Sequence, residues 1–244
     1  MKKEGQWYGL PLILSILTAC FWTENLQNSF NTVRQYNGLD RLIIRLEGVL
    51  CRSKPVKTQP SRPNPADSVT ESGMSGPVRA VSAGLMRVNH AGEVSAQALY
   101  QGQGIVARNP AVSAIMQRSA AEEIDHLRWC AQRLDELGSH TSYLNPVWYL
   151  GSLSLGIIAG VAGDRWSLGF VAETENQVVR HLDSHLVALP GDDHKSRAIL
   201  QQMRTDESHH ASVAVASGAA ELPVPIRGLM RLCSKIMTRT AYWV

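Results

Sequence analysis

Two short segments of the sequence place a glutamate and a histidine three residues apart: Glu123-Ile124-Asp125-His126 and Glu207-Ser208-His209-His210. On a helix this spacing puts both side chains on one face, where they can bind the same metal ion. A single pair of this kind is common and carries little information. Here each pair also follows a lone glutamate, and 30 residues separate Glu93 from Glu123 while 32 separate Glu175 from Glu207. The repeat predicts one metal centre formed by four helices.

The ligand set identifies the kind of metal. Bundle proteins with paired iron or manganese use one glutamate from each of two helices and Glu-x-x-His from each of two others. Four clustered carboxylates would repel one another, whereas two divalent cations balance their charge. Carboxylate oxygens with one imidazole per metal suit iron or manganese better than zinc, which prefers cysteine and histidine. We predict two iron ions per chain, with these ligands: Glu93, Glu123, His126, Glu175, Glu207 and His210.

Residues next to the predicted ligands are not themselves predicted to bind metal. Glu122 and Asp125 are predicted to be surface charges, and His209 to be exposed or to lie behind a ligand. Glu173 is predicted to face solvent, although a helix register wrong by half a turn would let it replace Glu175 as a ligand. Four other histidines have no partner at ligand spacing, and no role is predicted for them: His90, His140, His185 and His194.

Helices are the elements that must position these residues. Helical periodicity continues from Pro77 to the end of the chain, and no segment indicates a strand. The predicted helices cover 79–108, 110–137, 145–163, 165–189, 194–218 and 226–243. The sequence therefore predicts an all-α, ferritin-like four-helix bundle over residues 77–244, with an interfacial hydrophobic segment and a C-terminal amphipathic helix.

The chain before residue 77 has a different composition. Residues 1–32 contain an apolar run preceded by lysines, which is typical of a short secretory signal, but Glu4 in the charged part argues against export. We interpret 1–32 as an N-terminal extension and 33–52 as an amphipathic helix. Residues 53–76 contain four prolines and few large apolar side chains, which predicts a flexible linker.

Composition limits the class of protein. The chain has 244 residues and is 44% hydrophobic, enough for one sizeable core. Its net charge of +3 does not indicate a nucleic acid partner. The four cysteines form no C-x-x-C pair, so neither a zinc knuckle nor a disulfide framework is indicated, and a reducing, cytosol-facing location fits best.

Two segments indicate contact with a membrane. Residues 141–163 are 23 residues without a charge, long enough to cross a bilayer. A crossing would separate the three predicted ligands before this segment from the three after it, so we expect the segment to stay on one side. The last predicted helix has an apolar face with Leu229, Leu232, Ile236, Thr240 and Trp243 and a basic face with Arg227, Arg231, Lys235 and Arg239. Such a helix is typical of one lying on an anionic leaflet, which predicts a peripheral protein on the cytoplasmic face of the cell membrane.

Four segments together resemble the demethoxyubiquinone hydroxylases of ubiquinone biosynthesis: Leu85 to Glu93, Glu123 to His126, Glu173-Thr174-Glu175, and Asp206 to His210. The resemblance extends from about Val33 to the end and is most specific at Asn89 to Glu93. It implies the same six metal ligands, and it matches His181 to a histidine behind the ligands or on the substrate side.

The resemblance also implies an activity. It is an O2-dependent monooxygenase reaction that hydroxylates the ring of a demethoxy-polyprenyl quinone at the inner leaflet of the membrane, with NADH as the electron source. No G-x-G-x-x-G motif follows a strand, so a nicotinamide would have to bind without a Rossmann domain or act through a partner. Other proteins of ubiquinone biosynthesis, or further copies of the chain, are the candidate partners.

Two other functions fit parts of the pattern. A ferritin-like protein for iron storage or peroxide scavenging would use the same ligands but needs neither the uncharged segment nor the basic helix. A purely structural membrane-associated bundle would bind no metal.

Overall fold

A computed structural model describes residues 62–71 and 73–244 of the chain. Within these residues all regular secondary structure is helical, in six helices: α1 (Gly76–Val106), α2 (Pro110–Glu136), α3 (Asn145–Val161), α4 (Asp164–Ala188), α5 (His194–Ala216) and α6 (Val224–Ala241). Each helix lies where the sequence predicts it, within three residues at either end. The prediction of an all-α fold is confirmed. The predicted extension 1–32 and amphipathic helix 33–52 lie outside the described residues.

Local signals fix the helix ends. Before α2, the side chain of Asn109 accepts a hydrogen bond from the Ala111 backbone N–H, and Pro110 occupies the first turn, where no helical N–H bond is lost. After α2, Gly138 adopts a φ of 68°, which a residue with a side chain rarely tolerates. The chain therefore turns back at this glycine.

The bundle consists of two helix pairs, α1 with α2 and α4 with α5, joined through α3. Its core has two apolar clusters. The first includes Met86, Trp129, Leu134, Leu182 and Met203, and the second includes Tyr100, Met116, Leu168, Val171 and Ala214. Along each of the four helices the predicted glutamate lies between residues of the two clusters. The ferritin-like bundle thus encloses a polar layer between two apolar ones.

Helix α3 packs on the outside of the bundle, along α1. Contact at Gly102 of α1 and Gly156 of α3 is so close that a Cβ on Gly102 would lie 2.4 Å from the Leu153 carbonyl oxygen. The opposite side of α3 exposes Leu150 and Ile158. Among the described residues, no helix combines the length and the apolar character needed to cross a membrane.

Residues 62–71, which we call the strap, pack against the bundle. Ala66 is buried in the first apolar cluster, Asn64 donates a hydrogen bond to Gln132, and Glu71 pairs with Arg133. The prediction of a flexible linker is wrong for these residues. Its reasoning counted large apolar side chains, whereas the strap is held by ion pairs, hydrogen bonds and one small buried residue.

Candidate metal centre

The six predicted ligands come together in the polar layer between the apolar clusters. Glu93 projects from α1, Glu175 from α4, and the two Glu-x-x-His pairs from α2 and α5. All six are buried, and none is more than 5% exposed. Their ligand atoms form two groups that could each hold a metal ion, within 4.8 Å: Glu93, Glu123, His126 and Glu207 in one, and Glu175, Glu207 and His210 in the other.

The distances from the carboxylate oxygens to the two histidines show which glutamates reach both halves of the centre. His126 Nδ1 lies 3.1 Å from one oxygen of Glu207, and His210 Nδ1 lies 3.1 Å from the other. Glu123 likewise lies 3.0 Å from His126 Nδ1 and 3.5 Å from His210 Nδ1. Glu207 and Glu123 therefore reach both halves of the centre.

The other two glutamates each serve one half. Glu93 lies 3.5 Å from His126 Nδ1, whereas Glu175 groups only with Glu207 and His210. Tyr100, which sequence reasoning missed, donates a 2.6 Å hydrogen bond to Glu175. Its hydroxyl is buried, and burial together with the Glu175 charge raises the pKa of Tyr100 well above its usual value. Tyr100 therefore remains a donor that orients this carboxylate.

The chemistry of the donors tests whether metal ions fit. Oε1 of Glu123 and Oε2 of Glu175 are buried and receive no hydrogen bond from the described residues. Burial, followed by the charge of Glu207, raises the pKa of both carboxyl groups well above the ordinary value. Buried carboxylates with free lone pairs are costly unless a cation compensates them. The residues fit two divalent cations.

A second pair of carboxylates holds the histidines from outside. His126 Nε2 lies 2.9 Å from Asp206, and His210 Nε2 lies 2.6 Å from Glu122. A carboxylate can only accept, so each Nε2–H donates to its outer carboxylate, and each Nδ1, which faces the cluster, is the nitrogen that a metal would bind. Each acidic residue directly precedes the glutamate of the opposite Glu-x-x-His pair. This second repeat, Glu122-Glu123 and Asp206-Glu207, is the sequence signal that could have identified them.

The predicted surface charges need correction. Asp125 is only 1% exposed and pairs with Arg62 of the strap at 3.4 Å. Glu122 lies at the rim, where its carboxylate holds His210. Glu173 lies outside the cluster and accepts a hydrogen bond from Gln177, whereas Glu175 lies within the cluster. His209 is exposed, as predicted.

His181 lies away from the six ligands, roughly 9 Å further along α4 than Glu175 at 1.5 Å per residue. Its ring packs on that of His185, with centroids 3.9 Å apart, and His185 Nδ1 lies 2.9 Å from Asn89 Oδ1. Burial lowers the pKa of His181 to about 4, so the ring is neutral at physiological pH. Both histidines line a cavity of about 460 Å³ with Val88, Thr238, Arg239, Tyr242 and Trp243. Sequence reasoning gave His185 no role, because nothing in its spacing indicates this contact.

The family model described as ubiquinone biosynthesis protein COQ7 matches residues 80–241. The chain belongs to this family. The match includes all six predicted ligands, both outer carboxylates and all but the first four residues of α1, whereas the strap precedes it.

Three curated relatives are similar over most of their length, and each is named 3-demethoxyubiquinol 3-hydroxylase. The protein of Nitrosococcus oceani is 52% identical over 214 residues, which cover 86% of this chain and 99% of the relative. That of Polynucleobacter necessarius is 54% identical over 205 residues, covering 84% and 98%. That of Pseudomonas fluorescens is 50% identical over 211 residues, covering 86% and 98%. The predicted resemblance to demethoxyubiquinone hydroxylases is confirmed.

Proposed function

We propose that this chain is an O2-dependent monooxygenase that hydroxylates the ring of a demethoxyubiquinol in ubiquinone biosynthesis. The observation that carries the proposal is the pair of overlapping ligand groups, which share Glu207 and lie in a buried layer between two apolar clusters. Close similarity to named 3-demethoxyubiquinol 3-hydroxylases supports this function over iron storage. Their name also specifies the substrate as the quinol, the two-electron reduced form of the predicted quinone.

We propose two iron ions as the cofactor, held by the six predicted ligands. Such a pair supplies the activation of O2 when it is bound. Glu123 and Glu207 would contact both ions, Glu93 only the ion at His126, and Glu175 only the ion at His210. Hydrogen bonds within the protein orient the ligands before a metal binds. Tyr100 orients Glu175, and the outer carboxylates accept from Nε2 of each imidazole and so direct Nδ1 toward the metal position.

The reaction replaces a ring C–H by C–OH. One oxygen atom of O2 enters the ring and the other leaves as water, so each turnover needs two electrons and two protons besides the quinol. We propose NADH as the electron source, on the basis of the sequence resemblance. The apolar clusters above and below the ligands keep bulk water from the reacting centre. We further propose that the ring enters through the cavity beside His181, whose neutral imidazole can accept or donate one hydrogen bond to a quinol hydroxyl.

A surface formed by α3 and α6 supports a membrane location. The two helices flank α1, where Trp148 of α3 and Ala241 of α6 pack with Val88 and Ala91. Both helices expose large apolar side chains: Leu150, Ile158, Leu229, Leu232 and Ile236. We propose that this surface lies on the inner leaflet, at the cytoplasmic face of the cell membrane, where a long-tailed quinol is dissolved.

Quinone analysis tests the activity. In a cell that lacks its own enzyme for this step, the chain should convert the accumulated demethoxy precursor to ubiquinone, and labelled O2 should place one labelled oxygen on the ring. Glu175→Ala should fail to restore the product at equal abundance, whereas Glu173→Ala, outside the cluster, should succeed. Unchanged quinone profiles, or an unlabelled ring hydroxyl, would refute the proposal.

Vesicle binding tests the location. Leu232→Glu should reduce binding to vesicles that contain anionic phospholipid, while Val215→Glu, an exposed position on α5, should not. Equal binding of the two variants would show that α6 does not contact the lipid.

A further inference from the structure

Arg62 of the strap reaches the outer edge of the metal centre. Its Nη1 donates a 2.8 Å hydrogen bond to Asp206 Oδ2, and its Nε lies 3.4 Å from Asp125 Oδ2. Its guanidinium group also packs over the ring of Trp129, 5.0 Å from the centroid. Its Nη2 also lies 3.4 Å from His126 Nε2. These four contacts fix the side chain although it is one-third exposed. Arg62 precedes the region matched by the family model, so nothing in that match assigns it a role.

The oxygen that Arg62 binds is the one that holds a metal-binding histidine. Asp206 Oδ2 accepts from Arg62 and lies 2.9 Å from His126 Nε2, while Oδ1 accepts a hydrogen bond from Gln202 at 2.9 Å. With three donors, the Asp206 carboxylate has one orientation. Arg62 therefore acts on His126 through Asp206, and its own Nη2 lies 3.4 Å from the same His126 Nε2.

The other half of the centre has no equivalent. Glu122, which holds His210, has a side chain 36% exposed, and among residues 62–71 and 73–244 no arginine or lysine forms an ion pair with it. The two Glu-x-x-His pairs are repeats of one pattern, but only one receives an additional cation. The two metal positions therefore differ in how firmly their histidines are held.

We propose that Arg62 is a positioning residue that makes the two metal positions unequal, so that the ion bound through His126 leaves more slowly than the ion bound through His210. This inference rests on the proposed two-iron centre. Outer partners of metal ligands typically change metal affinity by about 10- to 100-fold. Arg62 acts one step further out and is partly exposed, so we expect an effect of roughly three- to tenfold.

The test measures release of iron rather than activity. Protein loaded anaerobically with Fe(II) is mixed with an excess of a chromogenic chelator, and wild-type protein should release its iron in two phases. Glu122→Gln should accelerate only the fast phase, which assigns that phase to the His210 position. Arg62→Met, which keeps the packing over Trp129 but removes the charge, should accelerate only the slow phase, by roughly three- to tenfold.

Two further variants separate positioning from general loosening. Arg62→Lys keeps the charge and one hydrogen bond and should restore release to within about twofold of wild type. Arg204 lies on α5, as Asp206 does, and forms an exposed pair with Asp183 of α4. Arg204→Met removes this pair and should change neither phase. If Arg62→Met does not fold, as judged by its thermal unfolding, Arg62→Gln provides the same comparison.

Each outcome decides the proposal. Unchanged release from Arg62→Met or Arg62→Gln, or equal acceleration of both phases, overturns it while leaving the proposed enzyme activity intact. A slow phase that is accelerated by Arg62→Met and restored by Arg62→Lys supports it, even if the wild-type protein fails to hydroxylate a demethoxyubiquinol. A wild-type protein that binds no iron refutes both.

Discussion

The sharing of Glu207 between the two halves of the centre leads to a prediction about metal stoichiometry. Glu207→Gln removes a charge whose two oxygens each lie 3.1 Å from a different histidine. Glu93→Gln removes a charge that serves only the His126 half. The two substitutions are chemically identical and both sites are buried, at 1% and 3% exposure. They should nevertheless differ in how many ions they release.

The size of the effect follows from burial. Removing one partner of a buried charge pair costs about 3–5 kcal/mol, because the remaining charge has no access to water. At about 1.4 kcal/mol per factor of ten, this weakens binding of an ion by roughly 10²- to 10⁴-fold. Glu93→Gln should impose this loss on one ion and Glu207→Gln on both. The expected iron content is about two per chain for wild type, about one for Glu93→Gln and well below one for Glu207→Gln.

Elemental analysis of anaerobically loaded and desalted protein measures this content. Glu173→Gln is the matched control, because Glu173 is on the same helix as Glu175 but pairs with Gln177 and Arg180 outside the cluster. It should retain wild-type iron. Equal iron content in Glu93→Gln and Glu207→Gln would contradict the assignment of Glu207 to both halves, and zinc alone in the wild-type protein would contradict the choice of metal.

Three further predictions concern the surroundings of the centre. Tyr100→Phe leaves an oxygen of the buried Glu175 without its donor, and should weaken iron binding by about tenfold in the same assay; unchanged content at limiting iron would contradict this. Arg133→Met leaves several carboxylates near the strap without their partner and should lower the free energy of urea unfolding by about 3–5 kcal/mol; a loss below about 1 kcal/mol would show that these ion pairs contribute little. Burial and neighbouring carboxylates raise the pKa of Glu123 and Glu175, so the folded apo protein binds more protons than the unfolded chain and should lose thermal stability as pH rises through these raised values. As pH rises above about 4.5, the ordinary glutamate pKa, the melting temperature should therefore fall for apo protein more steeply than for iron-bound protein, since the metal replaces the protons; parallel slopes would contradict the coupling.

The sequence alone was sufficient to predict the helices and to select six residues that the structure brings into one buried cluster. Both depend on short-range regularities: helical periodicity fixes the elements, and the three-residue spacing of Glu123 and His126 fixes a common face. The duplicated interval then limits which glutamates can meet. Two predictions were wrong. The strap was predicted to be flexible from its composition, and Asp125 was predicted to be a surface charge because it lies between two ligands in the sequence.

The tertiary structure decided which side chains are shared and what holds them. Sequence spacing places Glu207 and Glu93 on inward faces alike, but only the packing of α5 between the other helices directs the two Glu207 oxygens to different histidines. The contacts of Asp206 with His126 and of Arg62 with Asp206 join residues 80 and 144 positions apart. Such contacts leave no periodic trace in the sequence, because they depend on the relative placement of elements that are distant along the chain.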